Sequence, residues 1–333
     1  MNYPVFDLHA DTADRIAWQS LPATLKEATG LPFYGPGDEQ EPAKCRALDH
    51  SHCHISLDSV GNVPWAQCFA CYIPDELTPR QARELFDDVS SYLLHEIERL
   101  SGQVRTAHTV KDVQKGLDAG VLMAVRTIEN ARLFALDPAL VEECSRKGVW
   151  MASLSWNAAG PLASGHDTLE GLSAAGRATV LRMEREGMAL DVSHLNDQSL
   201  ADVMATTNAP LVASHSNSRS VCGHPRNLTD DQFREIAGRG GLVGLNFCED
   251  FLTDSGHASF DDISFHLDRW LELGGEDVIA LGSDFDGCDT PACISTAAEM
   301  PSFQDLLRER FGEGITRKLC ADNALSFFKR QGR

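Results

Sequence analysis

The sequence lacks any apolar run long enough to cross a membrane, and it lacks a recognisable N-terminal leader. A membrane-spanning helix needs about 18 to 20 consecutive apolar residues, and no such run occurs among the 333 residues. The N-terminal stretch MNYPVFDLHADT contains neither the basic segment nor the apolar segment of a secretory signal. These absences predict a cytoplasmic protein with no membrane partner.

Positive charge is also scarce. Lys and Arg together number 29 against 49 Asp and Glu, which gives a formal net charge of −20. Such a surface repels phosphate backbones, so we expect no nucleic-acid partner. No GxGxxG motif follows the first apolar run. Its absence removes the main reason to expect a dinucleotide-binding fold.

The ten cysteines are scattered, and only Cys68 and Cys71 form a CxxC pair. This pair lies within WAQCFACYI, an apolar run that predicts a strand, where alternating side chains point to opposite faces. We therefore interpret the cysteines as buried reduced thiols rather than as zinc ligands or a redox pair.

Short apolar runs alternate with longer amphipathic stretches along the chain. The runs are rich in Val, Ile, Leu and Ala and predict strands buried on both faces at 4–8, 65–73, 121–128, 149–155, 188–193, 210–214, 242–247 and 278–283. Helical patterns occupy 79–101, 138–147, 173–186, 197–206, 230–239, 261–273 and 303–311. The alternation predicts an α/β fold, a (β/α)8 TIM-like barrel formed by 1–333 as a single domain. A doubly wound open sheet is the alternative.

Residues 19–64 follow neither pattern and predict a long loop insertion after the first strand. They are rich in Pro, Gly and charge and include the cluster HSHCH at 50–54. These histidines could bind a metal ion, but we favour a surface loop, because adjacent ligands rarely converge on one ion without support.

Polar residues of the metal-ligating type fall where five of the predicted strands end. In a parallel barrel these ends lie on one face, and the active sites of such barrels lie on that face. His9 and Asp11 are two apart and so point the same way from an extended strand. The others are Glu129, His194, His215 and Asp284. Together they predict a metal centre rather than solvated loop ends.

Imidazoles with several carboxylates, one of them able to bridge, suit two Zn²⁺ ions roughly 3.5 Å apart. Such a pair would share a hydroxide and lower its pKa toward neutrality. Asp284 could accept the proton of this hydroxide and return it to the leaving group. The sequence therefore predicts a metal-dependent hydrolase that attacks a carbonyl or phosphorus centre.

The chain also resembles the membrane (renal) dipeptidase family, the M19 metallopeptidases of the amidohydrolase superfamily. The matching segments span nearly the whole chain and are FDLHADT, VRTIEN, GLSAAGRATVLRMEREGMALDVSHL, APLVASHSNSRSVCGHPRNLTDD, LVGLNF, LGSDFDG and DNALSFF. The resemblance implies that His9 and Asp11 hold a first zinc, that Glu129 bridges, and that His194 and His215 hold a second. It implies that Asp284 is catalytic. Arg226 would pair with a substrate carboxylate or the developing oxyanion.

Two positions depart from the family pattern. The family usually has a His after the fourth strand that helps bind the reacting carbonyl, whereas the segment LSWN has Trp156 there. Some members have a Tyr beyond the seventh strand that contacts the substrate carboxylate, whereas Phe251 lies near that place. His166, in the loop after Trp156, could replace the lost imidazole, or it could be a solvent-exposed loop residue. We therefore expect altered substrate contacts beside a complete metal site.

These observations predict a zinc dipeptidase for small dipeptides, with tolerance of a D-residue at the C-terminal side implied by the family. A binuclear hydrolase of another amide or ester is the alternative. A metal-bound protein without catalysis is a third candidate, against which the presence of Asp284 argues. Barrels of this kind often dimerise, so a homodimer is a further expectation.

Overall fold

A closed ring of parallel strands organises the computed structural model, which describes residues 2–31 and 45–333. Eight strands form the ring, in the order β1, β2, β4, β5, β6, β7, β8, β9, and β9 pairs with β1 to close it. The strands of the described residues are β1 (Val5–Ala10), β2 (Trp65–Tyr72), β3 (Val104–Thr106), β4 (Leu122–Glu129), β5 (Val149–Ser153), β6 (Ala189–Asp191), β7 (Val212–Ala213), β8 (Leu242–Leu245) and β9 (Ile279–Leu281). The predicted (β/α)8 barrel is confirmed.

Helices surround the ring and connect successive strands. Within the described residues they are α1 (Thr12–Ala17), α2 (Ala23–Thr29), α3 (Leu57–Val60), α4 (Pro79–Arg99), α5 (Val110–Asp118), α6 (Ala139–Arg146), α7 (Ala174–Arg185), α8 (Asp197–Thr206), α9 (Asp230–Gly238), α10 (Glu249–Leu252), α11 (Phe260–Glu272), α12 (Met300–Arg317) and α13 (Asn323–Arg330). Local sequence explains their starts. At α4, Thr78 and Gln81 form a reciprocal capping box and Pro79 occupies the first turn.

The sequence patterns missed some short elements. The strand β3 pairs only with the beginning of β4, and of its three residues only Val104 is buried, so it has no apolar run to signal it. The helices α1, α5, α10 and α13 also went unpredicted. The insertion predicted over 19–64 contains α2 and α3, while residues 32–44 of it lie outside the described residues.

The interior of the barrel is apolar at the end where the strands begin. One buried cluster takes a residue from each of the eight ring strands and adds Phe327 and Phe328 of α13. Phe328 stacks on Phe6 of β1, with ring centroids 5.5 Å apart, and meets Trp150 of β5 edge-on. The last helix therefore closes the end of the barrel at which the strands begin.

The CxxC pair does not form a paired site. Cys68 belongs to the barrel-interior cluster, whereas Cys71 belongs to the larger cluster between the barrel and its helices. Both are buried free thiols, and burial raises the pKa of each well above the ordinary value. None of the helices in the described ranges is long and apolar enough to span a bilayer.

Candidate metal and active site

The six predicted site residues meet at the end of the barrel where the strands finish. Their positions follow from the strand boundaries: His9 lies within β1, Glu129 ends β4, and the others lie one to three residues beyond their strands, namely Asp11, His194, His215 and Asp284. All six are at most 8% exposed. Their side chains share one buried region, although they come from five different strands.

Glu129 lies between two groups of ligand atoms. Its Oε2 is 3.5 Å from Nε2 of His9, which is itself 3.6 Å from Oδ2 of Asp11. Its other oxygen, Oε1, is 2.7 Å from Nε2 of His194 and 3.8 Å from Nε2 of His215. The two oxygens of one carboxylate thus face different sets of ligands, which is the arrangement a bridging carboxylate needs.

The ring orientations of His194 and His215 are set by hydrogen bonds on their far sides. Nδ1 of His194 lies 3.0 Å from Oδ1 of Asn157, which can only accept. Nδ1 of His215 lies 2.7 Å from Oγ of Ser214, whose own proton goes to Asp191. Both Nδ1 atoms therefore carry the proton, and both Nε2 atoms are left as acceptors.

These two acceptor Nε2 atoms face each other at 2.9 Å, with Oε1 of Glu129 close by. Three lone-pair-bearing atoms at such distances repel one another unless a cation lies between them. Nε2 of His9 and Oδ1 of Asp11 are buried and find no hydrogen-bond partner in the described part of the chain. The donor set thus fits a metal centre.

Two groups of potential ligand atoms lie within 4.8 Å of one another in the described residues: His9 with Glu129 and His215, and His9 with Asp11 and Asp284. His9 belongs to both groups and so connects them into one continuous cluster. Nitrogen and carboxylate ligands in such a cluster are typical of zinc and similar transition metals, whereas Mg²⁺ and Ca²⁺ prefer oxygen alone.

Burial controls the protonation of the cluster. It raises the pKa of Glu129 to about 7, against the opposing attraction of the nearby His9 imidazole. It lowers the pKa values of His194 and His215 well below the ordinary value, which keeps both rings neutral. For His9, burial acts downward, but the carboxylates of Asp11 and Glu129 raise its pKa well above the ordinary value. Neutral imidazole is the form that binds metal, so His194 and His215 are already in that form, whereas His9 would release its proton when a metal ion binds.

Backbone strain is concentrated at this end of the barrel. Among the described residues, the non-glycine positions with positive φ are Asn130 (59°), His194 (70°), Asp284 (62°) and Asp286 (68°). Each costs up to about 1–2 kcal/mol relative to ordinary backbone, less for Asn and Asp. All four adjoin or belong to the cluster, so the strain aims side chains at the site.

Asp284 is held by its neighbours in a defined orientation. Its Oδ2 accepts a hydrogen bond of 2.9 Å from Nδ2 of Asn246, and its Oδ1 lies 3.9 Å from Nε2 of His9. Gly287 allows this packing, because a Cβ there would lie 2.1 Å from Oδ2 of Asp11 and 2.8 Å from Oδ1 of Asp284. Any larger residue would push the two carboxylates apart.

An open cavity of about 1130 Å³ adjoins the cluster and is large enough for a small-molecule ligand. Asp11, Glu129, His194 and Asp284 reach its wall. Trp156 also lines the cavity. The centroid of its indole lies 5.1 Å from the ring centroid of Tyr72 and 6.2 Å from that of His194. The indole therefore faces the cleft while packing against its wall.

His166 and Phe251 line the same cavity. Burial, followed by the positive charge of Arg226, lowers the pKa of His166 to about 4, so its ring is neutral at pH 7. Nδ1 of His166 is buried and has no hydrogen-bond partner within the described ranges. His166 is therefore not the solvent-exposed loop residue that was the alternative.

Arg226 is buried beside the cluster and is not part of the cavity wall. One terminal nitrogen donates to the carbonyl of His215 at 3.1 Å, and its guanidinium lies 5.3 Å from the centre of the Phe251 ring. Its Nε finds no partner among the residues the structure describes. Its charge thus acts on the cavity from behind Phe251.

Sequence reasoning missed several residues of the cavity and its support. Tyr72, Asn157, His224 and Cys248 line the cavity, and Asn246 holds Asp284. Asn157 and His224 stand beside residues that were singled out, in LSWN and GHPRN. Their positions in these two motifs could have identified them as cavity residues. Neither motif, however, indicates which of its side chains points into the cavity.

Comparison with known proteins assigns the family. The model of the membrane dipeptidase family, peptidase family M19, matches residues 2–331. The chain belongs to this family. An uncharacterised protein encoded in a pqqA 5′ region of Klebsiella pneumoniae is 35% identical over 224 residues, covering 64% of this chain and 83% of that protein. An uncharacterised dipeptidase of Schizosaccharomyces pombe is 27% identical over 240 residues, covering 66% of this chain and 58% of that protein.

Two solved metallopeptidase structures resemble the whole fold. A metallopeptidase from Rhodobacter sphaeroides, liganded with a phosphinate mimic of the dipeptide L-Ala-D-Ala, superposes with a TM-score of 0.85 at 26% identity, covering 99% of this chain and 100% of that one. The second, dipeptidase AC, a metallopeptidase of family M19, gives a TM-score of 0.85 at 28% identity, covering 99% of both chains. The chain is thus a metal-dependent hydrolase of the dipeptidase class.

Proposed function

We propose that this protein is a two-zinc dipeptidase that hydrolyses the peptide bond of small dipeptides. The observation that carries the proposal is the convergence of three imidazoles and the carboxylates of Asp11 and Glu129 in one buried cluster, which an open cavity adjoins. Membership of the M19 family supports the same chemistry.

The ligand roles follow from the contacts of Glu129. His9 and Asp11 with Oε2 of Glu129 would hold one ion, and His194 and His215 with Oε1 would hold the other. When bound, such ions polarise a carbonyl group and lower the pKa of water. The mixed nitrogen and oxygen ligands favour zinc over magnesium or calcium.

Asp284 is proposed as the proton carrier. Its Oδ1 faces the cluster, while Asn246 occupies Oδ2, so only one oxygen is available for a proton. Asp284 would take a proton from the attacking water at Oδ1 and hand it to the leaving amine. Because Asn246 fixes the carboxylate, this transfer needs no rotation of the side chain.

Substrate contacts would come from His166, Trp156 and Phe251 on the cavity wall and from the charge of Arg226 behind it. The positive charge of Arg226, next to the neutral ring of His166, would attract the substrate carboxylate or the developing oxyanion. Trp156 and Phe251 would supply apolar contact in place of the hydrogen-bonding groups usual in the family. The dipeptide mimic bound by the Rhodobacter relative supports a D-residue at the C-terminal side.

A binuclear hydrolase of another small amide or ester is the second candidate. The observation that favours it is the indole of Trp156 on the cavity wall, where an imidazole would otherwise bind the reacting carbonyl. Both candidates use the same metal cluster and the same Asp284, so only the substrate distinguishes them.

The test combines metal analysis with a substrate panel. We expect about two zinc ions per chain after zinc reconstitution. The panel should include L,L-dipeptides, L,D-dipeptides and matched amide and ester analogues. Hydrolysis of dipeptides with kcat/KM above that for the analogues supports the proposal. One ion or none would contradict the bridging role of Glu129, and turnover of the esters or non-peptide amides alone would favour the second candidate.

A further inference from the structure

The loop that carries Asp284 is fastened to the long insertion through Asp286 and His54. We propose that these two residues are positioning residues, which hold the backbone of Asp284 in its left-handed conformation and thereby aim its carboxylate at the reacting atoms. This inference rests on the proposed function of Asp284. It also assigns a role to one histidine of the HSHCH cluster.

Asp286 and His54 form two reciprocal hydrogen bonds, and we call this pair of bonds the clasp. The backbone N–H of Asp286 donates to Nδ1 of His54 at 3.1 Å, and the backbone N–H of His54 donates to Oδ1 of Asp286 at 2.7 Å. The imidazole also meets the ring of Phe285 edge-on, with centroids 5.7 Å apart. Each residue thus satisfies the main chain of the other, across more than 230 positions of sequence.

The carboxylate of Asp286 is fully buried and has several further donors. Arg15 donates to Oδ1 at 2.8 Å, and the hydroxyl of Thr12 donates to Oδ2. Both donors belong to α1, which begins directly after Asp11. A buried carboxylate with this many donors is held rigidly, because each lost bond would leave a desolvated group unpaired.

Asp284 has little freedom once Asp286 is fixed. Phe285, the residue between them, is buried, and its carbonyl accepts the N–H of Asp11 at 2.9 Å. The N–H of Asp284 donates to the carbonyl of His9 at 3.2 Å. The two positive φ angles, at Asp284 and Asp286, lie on either side of Phe285. Unusual backbone of this kind persists only where surrounding contacts over-determine it.

The function of the clasp is therefore geometric. A catalytic carboxylate displaced by about 1 Å can lose a factor of 10² in rate. Neither His54 nor the carboxylate of Asp286 belongs to the proposed ligand set, so loosening the clasp should change turnover more than zinc content.

The test compares His54→Leu with His54→Asn. Leucine removes the acceptor for the N–H of Asp286, whereas the Asn side chain can present an oxygen near the place of Nδ1. We expect His54→Leu to lower kcat by roughly tenfold or more, with KM and zinc content within about twofold of wild type. His54→Asn should recover most of kcat. The matched control is His50→Leu, since His50 is exposed in the same cluster and pairs only with Asp58 in the described residues.

Hydrogen exchange of the 283–288 segment provides a readout that does not depend on activity. Exchange should be faster in His54→Leu than in wild type and restored in His54→Asn. Unchanged exchange in His54→Leu would overturn the proposal, as would wild-type kcat. If His54→Leu fails to fold, Asp286→Asn serves instead, because it keeps one acceptor oxygen but removes the charge that pairs with Arg15. A wild-type protein inactive on dipeptides would contradict the proposed function, while the exchange data would still decide whether the clasp holds the loop.

Discussion

The two ends of the barrel are built from the same strands but differ in chemistry. The end where strands begin is filled with apolar side chains and closed by Phe327 and Phe328 of α13. The end where strands finish buries His, Asp and Glu side chains, and it contains the positive-φ residues of the described chain other than glycine. The apolar end favours stability. The polar end buries ionisable side chains close to one another and strains the backbone, which lowers stability. Substitutions at the two ends should therefore separate stability from rate.

The largest effect is expected from Phe328→Ala at the apolar end. Phe328 is fully buried between Phe6 and Trp150, so truncation leaves a cavity and should cost about 3–5 kcal/mol of unfolding free energy. The kcat of the folded protein should stay within about twofold of wild type. Chemical denaturation and steady-state kinetics provide the two measurements.

Phe265→Ala is the matched control, because Phe265 is 55% exposed on α11 and its loss should change stability by less than about 0.5 kcal/mol. A large fall in kcat for Phe328→Ala would mean that the two ends are more tightly coupled than their composition suggests.

Asp284→Asn at the polar end should lower the rate and leave the stability unchanged. The change keeps the size of the side chain but removes the proton acceptor, so kcat should fall by roughly 10²-fold or more, while the thermal midpoint and zinc content are kept. Kinetics, calorimetry and elemental analysis test this. Asp289→Asn, an exposed change on the same cavity wall, should be nearly silent. Near-full activity would disprove the proton-carrier role, and loss of zinc would make Asp284 a ligand.

A smaller effect is expected from the hydrogen bonds behind the ligands. Ser214 connects His215 to Asp191, so Ser214→Ala should release the imidazole from its fixed orientation. Zinc affinity should weaken by about 10- to 100-fold, as is usual for such supporting partners. Competition with a chelator measures it. Ser214→Thr, which keeps the hydroxyl, should bind zinc nearly as wild type does, and equal affinity in Ser214→Ala would refute the role.

The smallest effect concerns Trp156. Losing an oxyanion donor costs about 2–4 kcal/mol unless another donor, such as Arg226 or His166, substitutes for it. We therefore expect ordinary L,L-dipeptides to be poor substrates and Trp156→His to improve their kcat/KM by about tenfold. Strong wild-type activity together with lower activity in Trp156→His would show instead that the indole is a working part of the pocket.

The barrel and the family could be predicted from the sequence because both depend on local patterns. Buried parallel strands require continuous apolar runs, and ligands at their ends stand out against those runs. The short elements were not within reach. Val104–Thr106 has one buried residue, and its pairing depends on where β4 happens to lie. Nor could the sequence decide between cleft and core for Trp156, since an apolar side chain suits either.

The sequence by itself determined the order of the strands, the chemistry available at their ends and the family of the chain. Only the tertiary structure decided which groups meet. It brought Nε2 of His194 within 2.9 Å of Nε2 of His215, fastened Asp286 to His54, and put Asn246 against Asp284. Such contacts join residues up to 232 positions apart. No local periodicity encodes them, because they follow from ring closure and from the backbone angles at the ends of the strands.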